Sequence, residues 1–187
     1  MKALPELAEK LSLSAIRRME CYDISHLGGT ATVASQVVFV DGEPKKSEYR
    51  RYKVKTLEKG KIDDFASMNE ILGRRFARKN DEKFAKSFPD LIVIDGGKGQ
   101  MSAVMKAVEQ FAETIGFPED FDPNTQIISL AKKEELIYIP YNKEPIELSY
   151  DNPGLKLLQR IRDEAHRLAI TFNRVTRQKN MVKSALD

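Results

Sequence analysis

The run Leu91-Ile92-Val93-Ile94-Asp95 constrains this chain more than any other segment. Four large apolar residues without alternation describe a strand buried on both faces, the kind found in the middle of a helix-covered sheet. The run ends on a carboxylate and passes at once into Gly96-Gly97-Lys98-Gly99-Gln100. A carboxylate at the end of an apolar strand is costly unless something compensates its charge. A second strand-like run, Arg18-Met19-Glu20-Cys21-Tyr22-Asp23, ends the same way. A divalent cation is the most economical compensation for such a pair.

The rest of the pattern supplies the layers around that strand. Residues 1–16 form a helical lead-in with Leu4, Leu7 and Leu11 at helical spacing. Strands are predicted over 17–24, 30–40 and 47–54, with Asp41-Gly42 as a tight hairpin between the second and third. Residues 62–79 are predicted as a helix, capped by Asp63 or Asp64 and striped by Phe65, Met68, Leu72 and Phe76. Residues 100–114 continue as a helix and 127–131 as a strand. Residues 135–139 and 145–148 form a second hairpin. A long helix over 153–173 starts at Pro153 and carries a stripe of Leu157, Ile161, Ala165, Leu168 and Phe172. Three antiparallel strands followed by alternating helix and strand describe an α/β domain, a mixed sheet flanked by helices. That order resembles the ribonuclease H-like fold, which implies that Asp23 and Asp95 lie side by side.

Composition narrows the chemistry. The 187 residues fit one domain with a sizeable core. No apolar run approaches the ~20 residues that span a bilayer, and the N-terminus lacks a signal-peptide core, so a cytoplasmic protein is expected. A single Cys21 excludes an internal disulfide and suits a reducing compartment. Net charge is +3, but basic residues cluster over 45–55 and 160–183. Such clusters can track a phosphate backbone or simply face water.

On the first strand, alternation puts Met19, Cys21 and Asp23 on one face. Asp23 therefore emerges where a buried face meets a cleft, unless it only caps the next turn. Asp95 feeds a glycine-rich turn whose N–H groups near 97–99 can face an anion. The segment is neither a P-loop, since Lys98 precedes Gly99, nor a dinucleotide fingerprint. His166, in Arg162-Asp163-Glu164-Ala165-His166-Arg167, is the candidate third ligand, with Asp163 the runner-up. As a ligand it binds as neutral imidazole, so activity falls when it is protonated. Two carboxylates and an imidazole suit Mg²⁺ or Mn²⁺ with open positions for water and phosphate oxygens. Arg50, Lys98 and Lys132 are expected to reach toward the cleft and DNA, with Arg51, Lys53 and Lys55 mainly solvated. With no Trp and 8% aromatic residues, no stacking platform for single strands is obvious.

Seven blocks occur in order: residues 20–26, Val33-Ala34-Ser35, Tyr49-Arg50-Arg51-Tyr52, residues 63–68 and 94–100, Leu130-Ala131-Lys132 and residues 162–167. Together they resemble the C-terminal endonuclease domain of the UvrC family, ribonuclease H-like and related to endonuclease V. The resemblance implies a metal-dependent endonuclease that makes the 5′ incision at damaged double-stranded DNA in bacterial nucleotide excision repair. Another ribonuclease H-like nuclease of endonuclease V type is the alternative. It further implies a metal triad of Asp23, Asp95 and His166, and partnership with UvrB in the UvrA–UvrB system through parts outside this chain. The family's GIY-YIG and helix-hairpin-helix domains have no counterpart in the sequence, so residues 17–187 are read as the nuclease domain. It is expected to be a monomer and to bind DNA weakly by itself. One departure is Asn173, where the family is expected to carry His.

Overall fold

A computed structural model describes residues 2–27, 31–55, 63–78, 88–114 and 116–186. Its centre is a seven-stranded mixed sheet in the order β3-β2-β1-β5-β6-β7, with β4 also pairing β2. These strands are β1 (Arg18–Leu27), β2 (Ala31–Val40), β3 (Glu43–Pro44), β4 (Arg50–Lys53), β5 (Leu91–Asp95), β6 (Ile127–Leu130) and β7 (Ile137–Tyr138). The helices are α1 (Ala3–Lys10), α2 (Asp64–Ala77), α3 (Lys98–Thr114) and α4 (Pro153–Leu186). The predicted ends at Thr30, Ile62 and Lys79 lie outside the described residues.

β1 and β5 are parallel and pair Tyr22 with Ile94. The predicted apolar strand thus sits between β1 and β6, with Leu91 to Ile94 all buried. The Asp41-Gly42 hairpin forms, with both residues at positive φ (53° and 82°), as a two-residue turn of the primed type requires. The predicted third strand over 47–54 forms only as β4 at Arg50–Lys53, and the return from the hairpin is a separate two-residue strand, β3. Pro44 offers no N–H to continue a ladder. The chain leaves the sheet through a 3₁₀ turn at Lys46–Glu48 and rejoins β2 as β4.

Two apolar layers cover the sheet. On one face α1 and α4 pack over Met19, Cys21, Val37, Phe39, Leu91 and Val93. On the other, α2 and α3 pack over Tyr22, Ala34, Tyr52, Ile92 and Ile94. Asp63 caps α2, accepting from the Ala66 N–H at 3.0 Å. Asn152 caps α4, its Oδ1 accepting from the Gly154 N–H at 2.8 Å, with Pro153 in the first turn. α4 continues 34 residues to Leu186, well past the apolar stripe that ends near Phe172. No helix among the described residues is long and apolar enough to cross a membrane.

Beneath α2 lies a buried ion-pair network. Glu20 and Arg75 are both fully buried. Arg75 donates through Nε to Glu20 Oε1 at 2.8 Å and through Nη2 to Oε2 at 2.9 Å. Arg18 Nε donates to Oε2 at 3.0 Å, and the Tyr22 hydroxyl to Oε1 at 2.7 Å. Burial alone pushes the Glu20 carboxyl up, but the two guanidiniums, Arg75 foremost, hold it below the ordinary range. Because its folded value lies below its unfolded one, the pair stabilises above the ordinary carboxylate range and is lost as acid protonates it. Arg75→Met should cost about 3–5 kcal/mol near neutral pH, since it leaves the buried Glu20 carboxylate with Arg18 as the one remaining cation of the network. Urea unfolding should show that deficit shrinking as pH falls, because Glu20 is then neutralised.

Candidate metal centre and nucleic-acid interface

β1 and β5 carry their terminal carboxylates to the same edge. Asp23 and Asp95 follow the Tyr22–Ile94 pair by one residue, and alternation turns both toward the α4 face. Their side chains are 13% and 3% exposed. α4 crosses above them and lowers His166 into the same place, its Nδ1 3.5 Å from Asp23 Oδ2. Lys132, just after β6, sets its Nζ 3.9 Å from Asp95 Oδ2. Asp95 Oδ1 is buried and has no protein partner.

Both carboxyls are pushed above their ordinary range, chiefly by burial. Asp95 adds like-charge repulsion at Asp23, while His166 and Lys132 pull the other way. At Asp95, Lys132 and Arg162 oppose the burial. Two acidic groups with desolvated oxygens, one oxygen orphaned, beside an imidazole form a donor set that fits a hard divalent cation. Among the described residues no three such side chains yet close into a coordination shell. The three predicted ligands converge on one edge, and Asp163 stays at the rim, 75% exposed and 3.6 Å from Arg162 Nε.

Arg162, one turn before His166, forms a two-pronged pair with Glu135, Nη2 to Oε1 at 3.1 Å. This pins α4 to the loop after β6, where Lys133 and Glu135 adopt positive φ (69° and 54°). Non-glycine residues in that region carry strain, and such strain collects at functional sites. Sequence reasoning missed this clamp. Its signal was Arg162 at helical spacing from His166, on a face that had to be partly buried.

The strand register assigns the basic residues of β4 differently from the expectation. Asp23 pairs with Ser35, and Ser35 with Arg51, so Arg51 shares the carboxylate face. Its guanidinium lies 4.5 Å from the centre of the Phe172 ring on α4. Arg50 pairs with Gln36, on the opposite alternation, and donates to the Tyr49 and Ser47 carbonyls. Lys98 is exposed at the start of α3, three residues beyond Asp95. Tyr49 donates to Glu164 Oε1 at 2.9 Å, and Glu164 is also gripped by Arg167.

A mixed sheet with two strand-end aspartates facing a helical histidine defines a ribonuclease H-like α/β class. Residues 8–170 match the family model of the UvrC RNAse H endonuclease domain, and the chain belongs to that family. It is 49% identical over 189 residues to the UvrABC system protein C of Gloeobacter violaceus, covering 100% of this chain and 28% of that protein. The Acaryochloris marina protein of the same name is 46% identical over 195 residues, covering 100% and 30%. The chain thus spans less than a third of the length of these relatives. Among solved structures, Ciona intestinalis endonuclease V in complex with inosine-containing DNA aligns with a TM-score of 0.42 and 15% identity, covering 86% of this chain and 65% of that one. The MID-PIWI domains of N. crassa QDE-2 also give 0.42, at 14% identity, covering 97% and 52%. Scores this low carry no inference about chemistry.

A carboxyl raised by folding destabilises the protein at pH values where it is ionised, because the folded state binds more protons than the unfolded one. Asp23→Asn and Asp95→Asn should therefore raise the metal-free melting temperature at neutral pH. The gain should disappear in acid, as scanning calorimetry across pH will show.

Proposed function

We propose that this domain is a divalent-metal-dependent endodeoxyribonuclease that makes the 5′ incision at damaged DNA in bacterial nucleotide excision repair. The observation that carries this reading is the meeting of Asp23, Asp95 and His166 at one sheet edge, with Asp95 Oδ1 left unpartnered. Membership of the UvrC family supports the substrate class. Asp23 and Asp95 would hold Mg²⁺ or Mn²⁺, with His166 as the third ligand. Bound there, such an ion activates water and offsets charge on the phosphate under attack.

The remaining roles belong to the chain itself. Contact with Asp23 orients the His166 ring and favours the proton on Nδ1 when the imidazole is neutral, leaving Nε2 to accept. Lys132, its side chain 72% exposed, offers a cation to a phosphate oxygen beside Asp95. Arg162 and Glu135 hold α4 and the β6–β7 loop in a common frame, so His166 and Lys132 keep their spacing. Arg51 and Lys98 flank the edge and position the DNA backbone without reading sequence. Arg50 would meet DNA only by way of the β4 rim. Residues 17–187 act as the nuclease unit, monomeric and cytoplasmic, while UvrB engages other parts of the full-length protein.

The test is nicking of a lesion-containing duplex by the full-length protein with its partners, in Mg²⁺ or Mn²⁺. Asp23→Ala and Asp95→Ala should leave the 5′ cut at background while the 3′ cut and the fold persist. Retention of the 5′ cut by either variant refutes the assignment. Cutting of inosine-containing DNA without partners would instead favour the endonuclease V type.

A further inference from the structure

Phe65 belongs to the predicted apolar stripe of α2, yet its residue surface is 51% exposed. The other three residues of that stripe, Met68, Leu72 and Phe76, are buried, together with Ser67, Ile71 and Arg75. The Phe65 ring rests on Gly99 so closely that a Cβ there would lie 2.8 Å from its Cζ. The missing side chain of Gly99 is what lets the Cζ end of the aromatic ring come this close to the first turn of α3.

The ring stands at the same end of the sheet as the carboxylates. Gly99 lies four residues beyond Asp95. Asp64, beside Phe65, meets His26 Nε2 at 2.7 Å. His26 is three residues, about 10 Å of strand, beyond Asp23. From the ring a groove of about 850 Å³ runs between α2 and α3, lined by Asn69, Ser102, Ala103 and Lys106 among others. Its size falls in the range of about 300–1,000 Å³ typical of ligand pockets.

Charge decides between occupants. The acidic groups of the groove are already engaged. Asp63 caps α2, and Glu70 accepts from the Lys55 N–H at 3.0 Å and from Arg74. Lys106 lines the groove and is exposed, and Lys98, next to Gly99 in the chain, is exposed as well. Asn69 and Ser102 donate to the carbonyls of Ala103 and Lys98, so neither offers that donor to a base edge. A cationic rim around an exposed ring, beside a phosphodiester site, suits a nucleobase held by stacking.

We propose that Phe65, seated on Gly99, is a stacking platform for one unpaired nucleobase of the DNA strand that enters the Asp23–Asp95 site. The proposal rests on the nuclease reading above and deepens it. The platform holds a base of any sequence, fixes the strand's register relative to the cut, and requires that base to leave its duplex stack.

The test measures binding without cleavage. A fluorescein-labelled single-stranded oligonucleotide is titrated with the protein in EDTA, at several salt concentrations, by anisotropy. Phe65→Leu should weaken binding by about 5- to 150-fold, the range for one lost base stack, with the salt slope unchanged because no phosphate contact is lost. Phe65→Tyr should restore affinity. Gly99→Ala, which displaces the ring while keeping it, should weaken binding in the same way. A strand of the same length that is abasic at every position should bind the native protein and Phe65→Leu alike. A Phe65→Leu affinity within about twofold of native, or a native protein that binds the fully abasic strand as tightly as the base-bearing one, overturns the platform. The Asp95→Ala variant should show the same Phe65 dependence. A native protein that keeps this dependence but cuts nothing with its partners and metal would sink the nuclease reading alone.

Discussion

The bidentate pair between Glu20 and Arg75 is the constraint on which the architecture turns. It joins the central strand β1 to α2 across a largely apolar face. A planar guanidinium fork accepts a carboxylate in few orientations, so the pair fixes the angle and register of α2 as well as its contact. Apolar packing alone tolerates sliding far better. The energetic case is different. Desolvating two charges is costly, and apolar replacements of equal volume often match such a pair in stability. Its contribution here is geometric: it sets where α2 begins, and hence where Asp63, Asp64 and Phe65 stand relative to the carboxylate edge.

β1 treats its two acidic residues in opposite ways. Glu20 points to the α2 face and receives Arg75, Arg18 and Tyr22. Asp23, three residues on, points to the α4 face and meets a histidine at 3.5 Å and the opposed fields of Asp95 and Lys132. Burial acts on both, but only Glu20 has guanidiniums close enough to overcome it. Lys132 sits 3.9 Å from Asp95 on a largely exposed stem, where solvent screens most of its effect. The strand thus combines a neutralised charge that holds the fold with an unneutralised one that is ready for a cation.

Much of this was legible in the sequence for physical reasons. The continuous apolar run of β5 admits only a buried strand, and Asp41-Gly42 admits only a tight turn. The site aspartates could be named because a charge at the end of such a strand demands an explanation. What escaped was pairing across elements. Glu20 alternates with Met19 and Cys21 on a strand that must be buried on both faces, which is a signal for a buried partner. Nothing local points to Arg75, 55 residues away. The Arg50–Arg51 assignment turned on register, and a one-residue difference reverses every side chain of a strand. Pro44 was the hint that β3 would break off and that β4 would set its register afresh. Phe65 misled because helical periodicity says which face a residue shares and not where the sheet beneath that face ends.

α4 couples these parts through rigidity. Its first half is clamped by the apolar core and by Arg162 on Glu135, and its next turns carry His166, Glu164 on Tyr49, and Phe172 under Arg51. A helix advances about 1.5 Å per residue, so these anchors span only some 15 Å of one continuous rod. Contacts with the β6–β7 loop, with β1 and with the β4 edge are therefore not independent. A shift of α4 that moved His166 from Asp23 would also break the Glu135 clamp and the Arg51 stack. The imidazole needs no dense packing of its own, because the helix that carries it is tied to the sheet on both sides. That explains how a side chain 61% exposed can still be held opposite a carboxylate that is almost buried.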